Sequence, residues 1–116
     1  MMFPKSVLVR SEPYRRLVAA LPCANCGIHG YSQAAHPPPS GKGIKQTDLD
    51  CVPLCCVHPG PDGQLVTGCH SDLDQYRLLP KDDIPAMMAY WKEDTQRKII
   101  RDGSWPRSLP KPDLEM

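Results

Sequence analysis

The sequence predicts a small α+β domain that is stapled by a bound zinc ion. Its 116 residues suffice for one domain with a modest core. Fourteen prolines and eight glycines leave little room for long regular elements, so we expect short helices and strands joined by loops. Six cysteines can supply the stabilisation that so small a core lacks, through a metal site or through disulfides.

The N-terminal sequence favours metal over disulfides. Arg10 interrupts the apolar run near the N-terminus, so a signal peptide is not expected. No stretch reaches the roughly 20 apolar residues needed to cross a bilayer. We therefore expect a cytoplasmic protein without a membrane partner, whose reduced thiols bind zinc. A secreted module stapled by disulfides is the alternative.

The basic residues are concentrated in the first part of the chain. The net charge is +1, but residues 1–47 carry six basic residues and one acidic residue. A basic face near a site suits a phosphate backbone. An unevenly charged, solvated surface accounts for the same charge equally well, so the charge alone does not predict a function.

An N-terminal helix is predicted from Ser11, its N-cap, to the residue before Pro22. Arg15 and Arg16 lie off its apolar face, free for solvent or phosphate. The residues of that face have helical spacing: Tyr14, Leu17, Val18 and Leu21.

Two short strands and a short helix are predicted in the middle of the chain. Residues Tyr31 to His36 have the pattern of a half-buried strand, and Val52 to Leu54 form a second one. Residues 57–68 contain turn signals and indicate an inserted hairpin. From Cys69 the sequence is compatible with a helix as far as Leu78 or Leu79.

The longest predicted helix begins after Asp83, its expected cap, and ends at Arg101, before Gly103. Residues 104–116 are rich in proline and predict a flexible tail. The apolar stripe of the helix packs either in the core or against a second copy, which leaves a homodimer open. The stripe consists of Ile84, Met88, Trp91, Thr95 and Ile99.

Four cysteines are predicted to bind the zinc. The turn from Cys23 to Cys26 delivers two thiolates from one backbone reversal. We assign the second pair to Cys55, at a strand end, and to Cys69, at a helix N-terminus whose dipole stabilises a thiolate. The alternatives left open for the second pair are Cys51, Cys56 and His58.

The order of several short motifs between roughly residues 20 and 78 points to one family. These motifs are Cys-x2-Cys-Gly at 23–27, Ala-Ala-His at 34–36, Thr-Asp at 47–48, Val-Pro-Leu-Cys at 52–55 and Cys-His-x-Asp-Leu-Asp at 69–74. In this order they resemble the HNH (ββα-metal) nuclease family, closest to small prophage-encoded nucleases and the Ref (recombination enhancement) type.

The resemblance implies a metal-dependent DNA endonuclease that hydrolyses phosphodiester bonds. It implies an HNH core over residues 23–79, in which a hairpin and a helix hold one catalytic divalent cation and a structural zinc pins the hairpin. Residues 1–22 would be an N-terminal extension with a short helix, and residues 80–103 would pack a longer helix on the core.

The resemblance also implies roles for individual residues. His36 resembles the general base that activates water, and Asp48 stands where the family often has an asparagine that orients this histidine. His70 and Asp74 share a helix face and would bind Mg²⁺ or Mn²⁺, or another divalent cation. Ala35 stands where many members have a further metal ligand.

The expected partner is DNA, whose phosphates would be bound by basic side chains. The predicted nucleic-acid-binding residues are Arg15, Arg16, Lys42 and Lys45. The alternative function is a zinc-stabilised nucleic-acid-binding adaptor that has the same fold without the chemistry, and the alanine before the predicted base favours it.

Overall fold

The computed structural model describes residues 8–39, 46–112 and 114. These residues contain two short antiparallel sheets and three α-helices, which are joined by turns and loops. The predicted α+β class is confirmed. In chain order the elements are α1 (Glu12–Ala19), β1 (Ser32–Ala35), β2 (Val52–Cys55), β3 (His58–Pro59), β4 (Leu65–Val66), α2 (Cys69–Asp74) and α3 (Ile84–Arg101).

The hairpin of β1 and β2 lies at the centre of the fold. The strands are antiparallel, with Ala35 opposite Val52 and Ser32 opposite Cys55. All four residues of β2 are buried because both faces of this hairpin are covered. The second hairpin, β3 and β4, is the predicted insertion and is largely exposed. One face of the central hairpin meets α2 and α3, and the other meets α1.

The first core cluster lies between the central hairpin, α2 and α3. Ala35 and Leu54 from the hairpin contact Leu73 of α2 and the N-terminal half of α3 there. The predicted α3 stripe is confirmed, because all five of its residues are buried. Trp91 is 5% exposed, so the stripe is used inside the molecule and offers no surface to a second copy.

The second core cluster lies between α1 and the C-terminal half of α3. Tyr14, Val18, Cys51 and Ile99 form its buried centre. The ring of Trp105 packs edge-on against Tyr14, with 5.3 Å between the ring centroids. Part of the predicted flexible tail is therefore docked on the core, because this indole covers apolar surface that α1 alone leaves open.

The bounds agree with prediction at the start of α1 and at both ends of α3, whereas α1 ends at Ala19, before the expected Leu21, and α2 ends earlier than expected. The Ser11 hydroxyl accepts the predicted hydrogen bond from the Tyr14 amide at 3.2 Å. Asp83 makes no capping bond with its side chain, because its backbone is already helical. The helix that begins at Cys69 ends at Asp74, since Tyr76 follows with a left-handed φ of 59°.

Candidate metal centre and active site

The four predicted zinc ligands come together in one cluster. Their sulfur atoms all lie within 4.8 Å of one another, so they could hold a metal ion such as zinc. The sulfurs of Cys26 and Cys55 are 3.8 Å apart, and a tetrahedral site with Zn–S bonds of about 2.3 Å has edges of about 3.8 Å. Neither Cys51 nor Cys56 nor His58 belongs to this group.

Backbone hydrogen bonds build the first half of the cluster. The turn closes through the Gly27 amide, which donates to the Cys23 carbonyl at 2.9 Å. Gly27 can reverse the chain there because its φ is 81°, a value that favours glycine. The Ala24 amide donates to the Pro53 carbonyl at 2.7 Å and thereby fixes the turn beside β2.

Hydrogen-bond donors point at the sulfur atoms. The Cys69 amide lies 3.3 Å from the sulfur of Cys55, and the Cys26 amide lies 3.5 Å from that of Cys23. The Asn25 side-chain amide lies 3.3 Å from the sulfur of Cys69. Such donors stabilise negative charge on sulfur. All six cysteines are free thiols in the structure.

Three thiols of the cluster, Cys23, Cys55 and Cys69, have different pKa values without a cation. Burial raises the pKa of the Cys23 thiol, but hydrogen bonds from the Cys26, Cys55 and Asn25 backbone outweigh it and lower the pKa to about 7. Burial and, to a smaller extent, the nearby Cys23 thiolate raise the pKa of Cys55 to about 11. The same two causes raise the pKa of Cys69. A divalent cation would remove this repulsion and let all four sulfurs ionise.

Gly68 brings the last ligand into place. Its φ is 89°, and a Cβ added there would lie 2.5 Å from the Cys56 carbonyl oxygen and 2.6 Å from that of Cys55. The backbone before Cys69 therefore passes against the end of β2, which brings Cys69 next to Cys55. Only glycine permits this close approach.

We expect Gly68→Ala to weaken the metal centre and to lower the melting temperature far more than Gly63→Ala. Gly63 has a similar φ of 83° but open space around the added Cβ. A positive φ strains alanine by about 1–3 kcal/mol in each variant, whereas the clash occurs only at Gly68. Thermal unfolding and zinc content measure the difference, and equal losses in the two variants would contradict this role of Gly68.

His36 and Asp48, the predicted catalytic pair, lie in direct contact. The Nε2 atom of His36 is 3.1 Å from Oδ1 of Asp48, at the end of β1. The imidazole is 24% exposed and the carboxylate 1% exposed. A carboxylate that accepts from Nε2–H leaves the lone pair of the neutral ring on Nδ1.

Asp48 is itself held by groups from α1. Its Oδ2 atom accepts from the Ser11 amide at 2.7 Å and from the guanidinium of Arg15. Burial opposes ionisation, but these donors together with His36 lower the pKa of the Asp48 carboxyl below its usual 3.8. The residue is therefore a fixed, ionised acceptor for the histidine.

His70 and Asp74, the predicted cation ligands, also lie together. His70 Nε2 is 3.5 Å from Asp74 Oδ2, one turn apart on α2. Nδ1 of His70 is bonded to Oε1 of Gln33 on β1 at 2.8 Å, which directs Nε2 towards Asp74. The other Asp74 oxygen, Oδ1, is buried without a hydrogen-bond partner among the described residues. The pair borders an open cleft of about 470 Å³.

The two predicted pairs are not in contact with each other in the described structure. Successive side chains of a strand alternate between faces. Gln33 therefore points to α2, and His36 belongs to the face that meets Cys51 and α1. About 10 Å of strand separates these two residues, at about 3.3 Å per residue. Ala35 between them is fully buried in the first core cluster and supplies no ligand.

The structure describes two of the four predicted phosphate-binding residues, and both of these are paired with carboxylates. Arg15 was expected to be free, but its guanidinium is bound to Asp48. Arg16 is exposed and pairs with Glu12 at 3.2 Å. Lys42 and Lys45 lie outside the described residues.

Two contacts of the site were not predicted. Gln33 orients His70, and the alternation along β1 could have indicated it, since it lies two residues before Ala35 on the same face. The Cys51 sulfur lies 3.3 Å from His36 Nε2, and no local pattern signals this contact.

No protein-family model, curated protein or solved structure matches this chain. Among the described residues, no helix is both long and apolar enough to span a membrane.

Proposed function

We propose that this protein is a metal-dependent DNA endonuclease of the HNH (ββα-metal) type with a structural zinc. The observation that carries the proposal is the half-exposed imidazole of His36, which the buried carboxylate of Asp48 holds at 3.1 Å. A histidine oriented by a fixed carboxylate is a common arrangement for a general base. A cytoplasmic location accompanies the proposal, because free thiols there would bind zinc.

The order and packing of the elements support a ββα-metal core. β1 and β2 form an antiparallel hairpin, and α2 packs against β2 after the inserted second hairpin. The four clustered cysteines join the turn before β1, the end of β2 and the first residue of α2. Zinc bound there would fix the helix that carries His70 to the strands.

His36 would take the proton from the attacking water. Its Nε2–H donates to Asp48, so Nδ1 is the atom that accepts the proton. The resulting imidazolium would be stabilised by the adjacent carboxylate, whose other oxygen is already neutralised by Arg15. Positioned proton transfer of this kind typically accelerates a reaction by about 10²–10⁴-fold.

His70 and Asp74 fit a hard divalent cation such as Mg²⁺ or Mn²⁺. The pair offers one imidazole nitrogen and a carboxylate with a buried, unpartnered oxygen, and the cleft leaves room for water and phosphate ligands. A cation bound there would supply charge stabilisation to the phosphate and to the leaving oxygen. Gln33 would keep the imidazole nitrogen directed into this cleft.

We expect Asp74→Ala to abolish plasmid nicking in Mg²⁺ or Mn²⁺, with at least a 100-fold loss, because the cation loses its carboxylate. Asp72→Ala is the control on the same helix: this carboxylate bonds to Thr67 and Arg77 and lies outside the proposed site. DNA binding is measured alongside. Equal nicking by wild type and Asp74→Ala would contradict the assignment.

The second candidate is a zinc-stabilised nucleic-acid-binding adaptor without nuclease activity. Three observations favour it: His36 and the His70–Asp74 pair lie on opposite faces of the strand, Ala35 leaves the cation with two protein ligands, and Arg15 is engaged by Asp48. The adaptor would bind DNA and contain zinc but would not nick plasmid with Mg²⁺, Mn²⁺ or Ni²⁺.

A further inference from the structure

We propose that His36, Asp48 and Cys51 form a second site for a soft divalent ion such as Zn²⁺, and that its occupation switches off the nuclease. The inhibitory part of this inference rests on the proposed function, whereas the metal site itself does not. The three residues offer one nitrogen, one oxygen and one sulfur, all within 4.8 Å of one another. They share no residue with the four-cysteine cluster or with the His70–Asp74 pair.

The spacing of the donor atoms suits tetrahedral coordination. His36 Nε2 lies 3.1 Å from Asp48 Oδ1 and 3.3 Å from the Cys51 sulfur. For Zn–N and Zn–O bonds of about 2.0 Å and a Zn–S bond of about 2.3 Å, these edges would be about 3.3 and 3.5 Å. These two edges would therefore need to lengthen by only about 0.2 Å, and the third edge, from Asp48 Oδ1 to the Cys51 sulfur, lies within 4.8 Å.

The surroundings leave these three atoms available to an ion. Arg15 and the Ser11 amide bind Oδ2 of Asp48, so Oδ1 remains for the metal. Cys51 and Asp48 are buried, and the imidazole is half-exposed. The ion would enter past His36, and water from that side would complete its shell. A sulfur ligand favours Zn²⁺ over Mg²⁺.

Binding would change the protonation of the proposed base. The metal forms bonds to Nε2, Oδ1 and the sulfur, and the thiol proton of Cys51 is released to solvent. The imidazole loses its proton from Nε2 and gains one on Nδ1, so the ring stays neutral. The proton from the Cys51 thiol is therefore the only net proton released. A neutral imidazole whose Nε2 lone pair is bound to metal carries its proton on Nδ1. It can no longer accept a proton from water there.

Cobalt titration of the zinc-loaded protein tests the site without reference to activity. Co²⁺ bound to a thiolate absorbs in the near ultraviolet, and Cys56, which borders the cleft of His70 and Asp74, is tested as the alternative source of that absorption. We expect wild type to bind one additional cobalt per chain with this absorption, while the zinc content stays unchanged. The Cys51→Ala variant should lose the absorption. The Cys56→Ala variant, which removes a partly buried thiol five residues along the chain, should keep it.

The same titration can refute the site. A thiolate absorption of equal size in Cys51→Ala, or no thiolate absorption in wild type, would overturn the proposal. His36→Gln removes the nitrogen ligand from the half-exposed side and should weaken cobalt binding at least tenfold, which keeps the test decisive if Cys51→Ala fails to fold. Unchanged affinity in His36→Gln would also overturn it.

Inhibition is measured separately by plasmid nicking in Mg²⁺ with added Zn²⁺. We expect Zn²⁺ to slow wild type and Cys56→Ala at least tenfold and to leave the rate of Cys51→Ala unchanged. Equal inhibition of all three proteins would refute the switch. If no protein nicks DNA under any condition, the proposed nuclease function fails, and the cobalt titration still decides whether the metal site exists.

Discussion

Removal of the metal is expected to unfold this protein. The cysteines of the cluster come from the turn at residues 23–26, the end of β2 and the start of α2. Structural zinc binds small domains with roughly 10–16 kcal/mol of apparent free energy, which matches or exceeds the 5–15 kcal/mol of stability typical of a whole domain. Without the ion, the Cys23 thiolate would face neighbouring thiols in a small core with no cation to neutralise it.

The expected loss can be measured with a strong chelator and with Cys55→Ser. Both should abolish bound zinc and the cooperative thermal transition in circular dichroism, because Cys55 is buried at the centre of the cluster. Cys56→Ser changes the adjacent thiol, which lies outside the cluster, and should retain the zinc and the transition. A Cys55→Ser protein with unchanged zinc content and melting temperature would contradict the metal centre.

Replacement of Asp48 by alanine is expected to cost about 1–3 kcal/mol of stability, the usual effect of leaving a buried hydrogen-bond donor without its acceptor. Asp48 is 1% exposed and receives donors from Ser11, Arg15 and His36. Alanine would leave the Ser11 amide and the guanidinium without their acceptor. Denaturant unfolding measures the change, and a loss below about 1 kcal/mol would show that the network is not stabilising.

The contribution of Asp48 should also depend on pH. Its folded pKa is lowered, so the stabilisation is fully present above the unfolded value of 3.8 and disappears as the pH falls through the lower folded value. The difference in stability between wild type and Asp48→Asn should therefore shrink as the pH is lowered through this range. The two proteins are compared only at pH values at which each still carries one zinc per chain, because loss of zinc in acid would unfold both. A constant difference would contradict the lowered pKa.

Local patterns were sufficient to predict much of the fold. The spacing of apolar residues in α3 predicts its buried stripe, and Ser11 predicts the start of α1. Both follow from interactions within a few residues of sequence. The structure also brings together the four cysteines selected from the sequence, which lie in a turn, at a strand end and at a helix start.

Contacts between distant parts of the chain could not be predicted. Arg15 was expected to be free for phosphate, but it binds Asp48, which lies 33 residues away. His58, named as an alternative zinc ligand, is instead buried with its ring stacked on Tyr31, 5.0 Å between the ring centroids. Trp105 was assigned to a flexible tail and packs on Tyr14. Each partner is set by tertiary packing, which no local pattern encodes.

In the candidate site, too, a local pattern predicts one contact and does not predict the other. Helical spacing predicts that His70 and Asp74 share a face, and they do. The contact between His36 and Asp48 was expected from the family resemblance alone, and the structure places the two side chains together. Their roles in catalysis remain predictions for experiment.

Plasmid nicking by wild type and His36→Ala, each carrying one zinc per chain, tests the central claim most directly. The substituted side chain is half-exposed, and Asp48 keeps Ser11 and Arg15, so the variant should fold and bind DNA as wild type does. We predict metal-dependent nicking by wild type and a loss of at least 100-fold in the variant. Equal nicking by both proteins would contradict the assignment of His36 as the general base.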